Sequence, residues 1–169
     1  WCGEAAGGEG EAVSVQAMDP EQRFAYCIHQ SKIEERERLA SSGELAKYKA
    51  LRLILTGPPG AGKSRTVRAI AALRRKRARA AAQRRARRVG ELDDRGLAKI
   101  GDEAARGACL LGAPTGTASF QMKSGATTLH RLFGISIHAF GKTNNEAALA
   151  SRARRLRAAT LIALDLSLI

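Results

Sequence analysis

Eight consecutive residues, Gly57-Pro58-Pro59-Gly60-Ala61-Gly62-Lys63-Ser64, have the types and spacing to hold a phosphate chain. They fill the pattern G-x-x-x-x-G-K-[ST] in full. Glycines let successive backbone N–H groups turn toward phosphate oxygens, and a helix starting at the end of the loop adds the positive end of its dipole. The Lys63 ammonium can reach the β- and γ-phosphates, and the Ser64 hydroxyl can ligate Mg²⁺. Arg65 follows directly and completes the phosphate-binding segment, residues 57–65. The pattern implies ATP or a related triphosphate with Mg²⁺ and leaves the reaction open. A Gly/Pro-rich turn with a chance Lys-Ser is the competing reading, and the flanking elements decide against it.

Those elements can be read from local chemistry. Residues 51–56 (LRLILT) form a short apolar run closed by Gly57-Pro58, which predicts a buried strand. A helix is expected from near Gly62, with Val67, Ile70 and Ala71 inward, continuing through an Arg/Ala-rich stretch to about Arg88. Upstream, Asp19-Pro20-Glu21-Gln22 is a helix start: an N-cap, a proline at the first position, and an amide where a capping box places Glu or Gln. Phe24, Cys27 and Ile28 give that helix an apolar stripe, and Gly43 lies in the break after it. Residues 1–17, rich in Gly, Ala and Glu, read as a flexible tail.

Downstream, a polar, Gly-punctuated stretch runs to Gly107. Residues 108–113 (ACLLGA) are a second strand candidate, ended by Pro114. Residues 117–123 and 127–133 read as short helices separated by Ser124-Gly125. Residues 145–157 read as a polar helix with Ala147, Ala148 and Leu156 inward, and residues 160–164 (TLIAL) as a third strand. Strands alternating with helices predict an α/β fold with a parallel sheet.

Composition narrows the partners. The 169 residues carry a formal net charge of +13, which favours polyanions. Nine of the cations lie between residues 74 and 88 with no acid among them, so the rest of the chain is only mildly basic. Aromatic residues make up 4%, leaving Leu, Ile, Val and Ala to build the core. Cys2, Cys27 and Cys109 are scattered and odd in number, which argues against a disulfide framework and for a reducing, intracellular setting. No run approaches a membrane span. The chain opens on Trp1, so its natural start is expected upstream, and no targeting segment can be read.

Several segments resemble the Pif family of superfamily 1 ATP-dependent 5′-to-3′ DNA helicases. They are MDPEQRFAY at 18–26, LRLILTGPPGAGKS at 51–64, LLGAPTGTASF at 110–120 and GATTLHRLFGI at 125–135. They occur in the family's order, interrupted by a basic and polar insertion at 74–107. The resemblance implies an incomplete RecA-like P-loop NTPase domain over residues 18–169, the N-terminal part of the first motor domain. It implies ATP and Mg²⁺ as cofactors, single-stranded or partly duplex DNA as partner, and roles in DNA repair, recombination and telomere maintenance. A nuclear or mitochondrial location follows if the source is eukaryotic.

Residue by residue, the resemblance makes Gln22 the adenine-recognising amide, a role that competes with its capping box. Thr115, Gly116 and Thr117 match a motif touching single-stranded DNA, against an ordinary turn with Thr115 or Thr117 as N-cap. His130, in Gly125-x-x-Thr128-x-His130, matches a second DNA-contacting motif; His29 and His138 match nothing. Lys63 and Asp165 are the catalytic candidates, and Ser64 and Asp165 the metal candidates.

The chain departs from the family at its last strand, which should end in Asp-Glu. It reads Leu164-Asp165-Leu166, so Asp165 takes either the Mg²⁺ position or the water-polarising position and the other carboxylate is missing. The expectation is ATP binding without efficient hydrolysis. The second motor domain does not follow, so unwinding is not expected of this polypeptide alone. Residues 74–88, outside the family pattern, read as a nucleic-acid or import element or as a solvated helix. Another P-loop NTPase or kinase, and a non-catalytic basic nucleic-acid-binding module, are the rival readings of the whole.

Overall fold

The computed structural model describes residues 15–90, 93–135 and 146–164. The chain divides into two compact units, Trp1–Ala69 and Ile70–Ile169.

The first unit is built on helix α1 (Pro20–Ser41), which begins as its sequence dictates: Asp19 is extended and Pro20 takes the first helical position. The Asp19 side chain makes no capping bond to the backbone. The buried stripe is Ala25, His29, Ile33 and Leu39, whereas Phe24 is 69% exposed, Cys27 is exposed and Ile28 is half-buried. The expected stripe of Phe24, Cys27 and Ile28 is therefore rotated. The buried residues Ala25, His29 and Ile33 lie at i, i+4 and i+8, so position around the helix and not side-chain size marks the inner face. Gly43, at φ 75°, terminates the helix while the Glu44 N–H donates to the Leu39 carbonyl at 2.8 Å. Val15–Ala17, the described end of the expected tail, forms a 3₁₀ turn tied down by Arg23, which donates to the carbonyls of Gln16 and Met18.

Residues 51–56 form no strand, and Ile54 is 85% exposed. The run supplies apolar side chains, but a strand also needs a hydrogen-bonded neighbour, and the described residues of this unit contain none. The unit ends in the first turns of α2 (Lys63–Val89), which starts where the phosphate-loop pattern places it.

The second unit holds the sheet. Strands β1 (Cys109–Ala113), β2 (Thr127–Thr128) and β3 (Leu161–Leu164) are all parallel, in the order β2-β1-β3. Gly112 pairs with Thr127 on one side and Leu164 on the other. Every residue of β1 is buried, as a central parallel strand requires. Pairing is reinforced at the base, where Thr160 donates to the Ala108 carbonyl through both its N–H (2.9 Å) and its hydroxyl (3.1 Å). A Cβ on Gly112 would come within 2.8 Å of Leu132 and 3.0 Å of Leu129, so glycine lets the short helix Leu129–Phe133 close on the sheet. The architecture is α/β with a small parallel sheet.

The expected polar stretch before β1 is instead helix α3 (Asp94–Ala108), capped by Asp93, whose carboxylate accepts from the Gly96 N–H at 2.8 Å. Its buried face is Leu97, Gly101, Ala105 and Ala108. Gly101 faces α2: a Cβ there would meet Arg79 Cγ at 2.8 Å and Gln83 Nε2 at 2.9 Å. Glycine here serves a close helix crossing. Across the same contact Arg79 pairs with Asp102 at 2.5 Å and Gln83 donates to the Leu97 carbonyl at 3.4 Å. The arginine-rich stretch thus continues α2 and is partly packed, with Arg74 and Ala86 buried.

Helix α4 (Gly116–Met122) follows β1, and α5 (Leu129–Phe133) follows β2. Thr127 and Thr128 are strand, because their backbone pairs with Gly112 and Ala113; the helix starts two residues later than expected. Helix α6 (Glu146–Ala158) leads to β3; Leu156 is half-buried, but the expected inner Ala147 is exposed. Asn145 lies outside the described residues.

Candidate functional site

The phosphate loop is shaped by its glycines. Gly57, Gly60 and Gly62 have φ of 151°, 83° and 76°, a region that side chains disfavour. The Ala61 N–H donates to the Pro58 carbonyl at 3.2 Å, closing the turn, and the Thr66 N–H donates to the Gly62 carbonyl at 3.0 Å as the first helical bond. Thr66, 2% exposed, adds its hydroxyl to the same carbonyl at 3.3 Å. Lys63 folds back over the loop: its Nζ donates to the carbonyls of Gly57 at 2.8 Å and Pro58 at 3.0 Å. An ammonium held by exchangeable carbonyl partners at the mouth of a glycine turn can trade them for phosphate oxygens. Ser64 and Arg65 are half-buried in the first helical turn.

Gln22 belongs to this loop. Its Nε2 donates to the Ala61 carbonyl at 3.0 Å and to Asp19 Oδ2 at 3.1 Å. The reciprocal capping box is not formed, since the amide is drawn to a carboxylate and to the loop. Any Cβ at Gly62 would collide with the Gln22 amide nitrogen. Gln22 Oε1 is buried without a hydrogen-bond partner among the described residues. An acceptor left over beside a phosphate loop is the half of an amide that an adenine amino group would satisfy. A nucleotide would use the glycine turn for its phosphates and the unsatisfied Gln22 acceptor for its base. Mg²⁺ would have the Ser64 hydroxyl as its protein ligand here. Asp165, the second metal and catalytic candidate, lies outside the described residues, as do His138 and Cys2.

In the second unit, Thr115–Thr117 and Thr128–His130 emerge from the C-terminal ends of the adjacent strands β1 and β2, the edge where parallel sheets bind ligands. Thr115 caps α4, its hydroxyl accepting from the Ala118 N–H at 3.2 Å. Thr128 caps α5 likewise, accepting from Arg131 N–H at 3.4 Å. Capping fixes both turns and leaves Thr115, Gly116, Thr117 and His130 exposed. Beyond α4 the backbone is strained: Lys123 and Ser124 have φ of 57° and 53°. Arg75 holds this turn by donating to the Ser124 carbonyl at 2.6 Å. Nothing in the sequence distinguishes Arg75 from its neighbours, so that role was not legible.

Cys109, at the base of β1, is 5% exposed and its thiol donates to the Ala71 carbonyl at 3.5 Å. Burial pushes it from 9.0 up to about 11, against the opposing pull of Arg75 and Arg74. It is a structural thiol.

No helix among the described residues is long and apolar enough to cross a membrane. Comparison with protein-family models, curated proteins and solved structures yields no match.

Proposed function

We propose that this chain is the ATP-binding, N-terminal part of the first motor domain of an ATP-dependent DNA helicase of the Pif type, with a RecA-like arrangement. The observation that carries the reading is the phosphate loop with Lys63 across it and Gln22 bonded into it. ATP is held with Lys63 on its phosphates, Ser64 on Mg²⁺ and Gln22 on the adenine edge. Single-stranded DNA runs over the exposed Thr115–Thr117 and His130 edge. Phe120, 82% exposed on α4, supports this by offering an aromatic plane for base stacking. With one acidic group of the last strand absent, hydrolysis is slow; removing a comparable catalytic group costs other enzymes about 10²-fold or more.

Coupling between the two ligands tests the proposal. Oligo(dT) affinity, measured by fluorescence anisotropy, changes when Mg²⁺ and a non-hydrolysable ATP analogue are added, and Lys63→Ala abolishes the change. Phosphoryl transfer to a small acceptor, with DNA binding indifferent to nucleotide, would favour a kinase.

A further inference from the structure

The nine cations of residues 74–88 are not equivalent in the folded helix. Arg74 is buried, Arg75 holds the Ser124 turn and Arg79 pairs with Asp102. Helix α3 covers the side of α2 that carries Arg79 and Gln83, where Ala86 is buried. On the opposite side Ala81, Arg84, Arg85 and Arg88 are exposed, with exposed Lys76 and Arg87 flanking them. At 3.6 residues per turn and a rise of about 1.5 Å, Arg84 and Arg88 stack one turn apart with Arg85 beside them.

Like charges at this spacing destabilise a helix unless something offsets them. No acid occurs between residues 74 and 88, and among the described residues Arg85, Arg87 and Arg88 have no acidic partner. The face offers only alanine between its guanidinium groups, so it suits an extended anion rather than an apolar protein groove. Ala81 leaves room for a backbone to lie close against the helix.

We propose that the outward face of α2, centred on Arg84, Arg85 and Arg88, binds the phosphodiester backbone of nucleic acid. Binding there is without base selectivity and independent of the phosphate loop. It is a grip additional to the threonine and histidine edge.

The test compares the triple variant Arg84→Gln/Arg85→Gln/Arg88→Gln with a charge-matched control, Arg36→Gln/Arg38→Gln/Lys49→Gln, at exposed positions of the first unit. Glutamine keeps helix propensity, and circular dichroism verifies the fold. Oligo(dT) affinity is titrated against salt without nucleotide. The α2 variant binds about 10- to 100-fold more weakly at low salt, and its log–log salt slope is shallower by about 2, roughly 0.7 per cation lost. The control keeps the parent's slope, and Lys63→Ala leaves the α2 contribution intact, so failure of ATP binding is read separately. Equal losses in both triple variants would reduce the effect to net charge and overturn the proposal. So would an unchanged oligonucleotide affinity accompanied by lost binding to a nuclear-import receptor.

Discussion

Residues 51–56 and Cys109–Ala113 are both short apolar runs that lead through a tight turn into a helix, but only the second becomes a strand. Cys109–Ala113 is buried at every position and paired on both sides. Residues 51–56 leave Ile54 largely in solvent. Their turns differ in the same sense. The first depends on glycines at positive φ and a lysine bonded to loop carbonyls, the second on a threonine hydroxyl capping its helix. Apolar composition creates the demand for burial, and neighbouring backbone decides whether it is met as a strand. The phosphate loop tolerates the difference because its shape comes from glycines and from the start of α2, features set within a few residues.

The largest effect that would sharpen this contrast is on stability. Leu111→Ala, at a position 2% exposed, lowers unfolding free energy by about 2–5 kcal/mol, while Ile54→Ala stays within about 0.5 kcal/mol. Urea unfolding of the two variants measures the difference; comparable losses would mean that residues 51–56 are buried as a strand after all.

Next is the alkaline limit of the β1 region. The Cys109 thiol ionises near 9.0 when unfolded and near 11 when folded, so the folded state keeps its proton longer. Its contribution is therefore complete below pH 9 and falls as pH rises toward 11, by at most about 2–3 kcal/mol. Cys109→Ala should flatten this part of the stability–pH curve. An unaltered slope would remove the thiol as its cause.

The smallest expected effect separates the two turns. Thr115→Ala loses a side-chain cap and costs about 1 kcal/mol of stability without changing nucleotide binding. Gly62→Ala instead forces an alanine to φ 76° against Gln22, and its main consequence is weaker ATP affinity, read by titration. A Thr115→Ala variant that lost ATP affinity as well would blur the distinction between the turns.

What was legible in the sequence had local causes. Asp19-Pro20 started α1, Gly62-Lys63 started α2, and the apolar runs before Pro114 and after Thr160 became paired strands. Non-local packing was hidden. Helix α3 reads as a broken stretch because of Gly96, Gly101 and Gly107, although Leu97, Ile100, Ala104, Ala105 and Ala108 recur at helical spacing. Gly101 reads as a breaker until Arg79 and Gln83 are seen against it. The inner face of α1 does not follow from side-chain size, because bulky Phe24 lies in solvent and small Ala25 is buried. At the candidate site, the glycines, Lys63 and the Thr115 cap followed from type and spacing, whereas the Thr128 cap emerges only in the structure. The bond from Gln22 to the Ala61 carbonyl spans 39 residues and could not be read from the chain.

Titration of the folded protein with a fluorescent ATP analogue and Mg²⁺ addresses the nucleotide site most directly. The account predicts saturable uptake that is lost in Lys63→Ala while the circular dichroism spectrum is retained. No saturable uptake, or uptake identical in the Lys63→Ala variant, would contradict it.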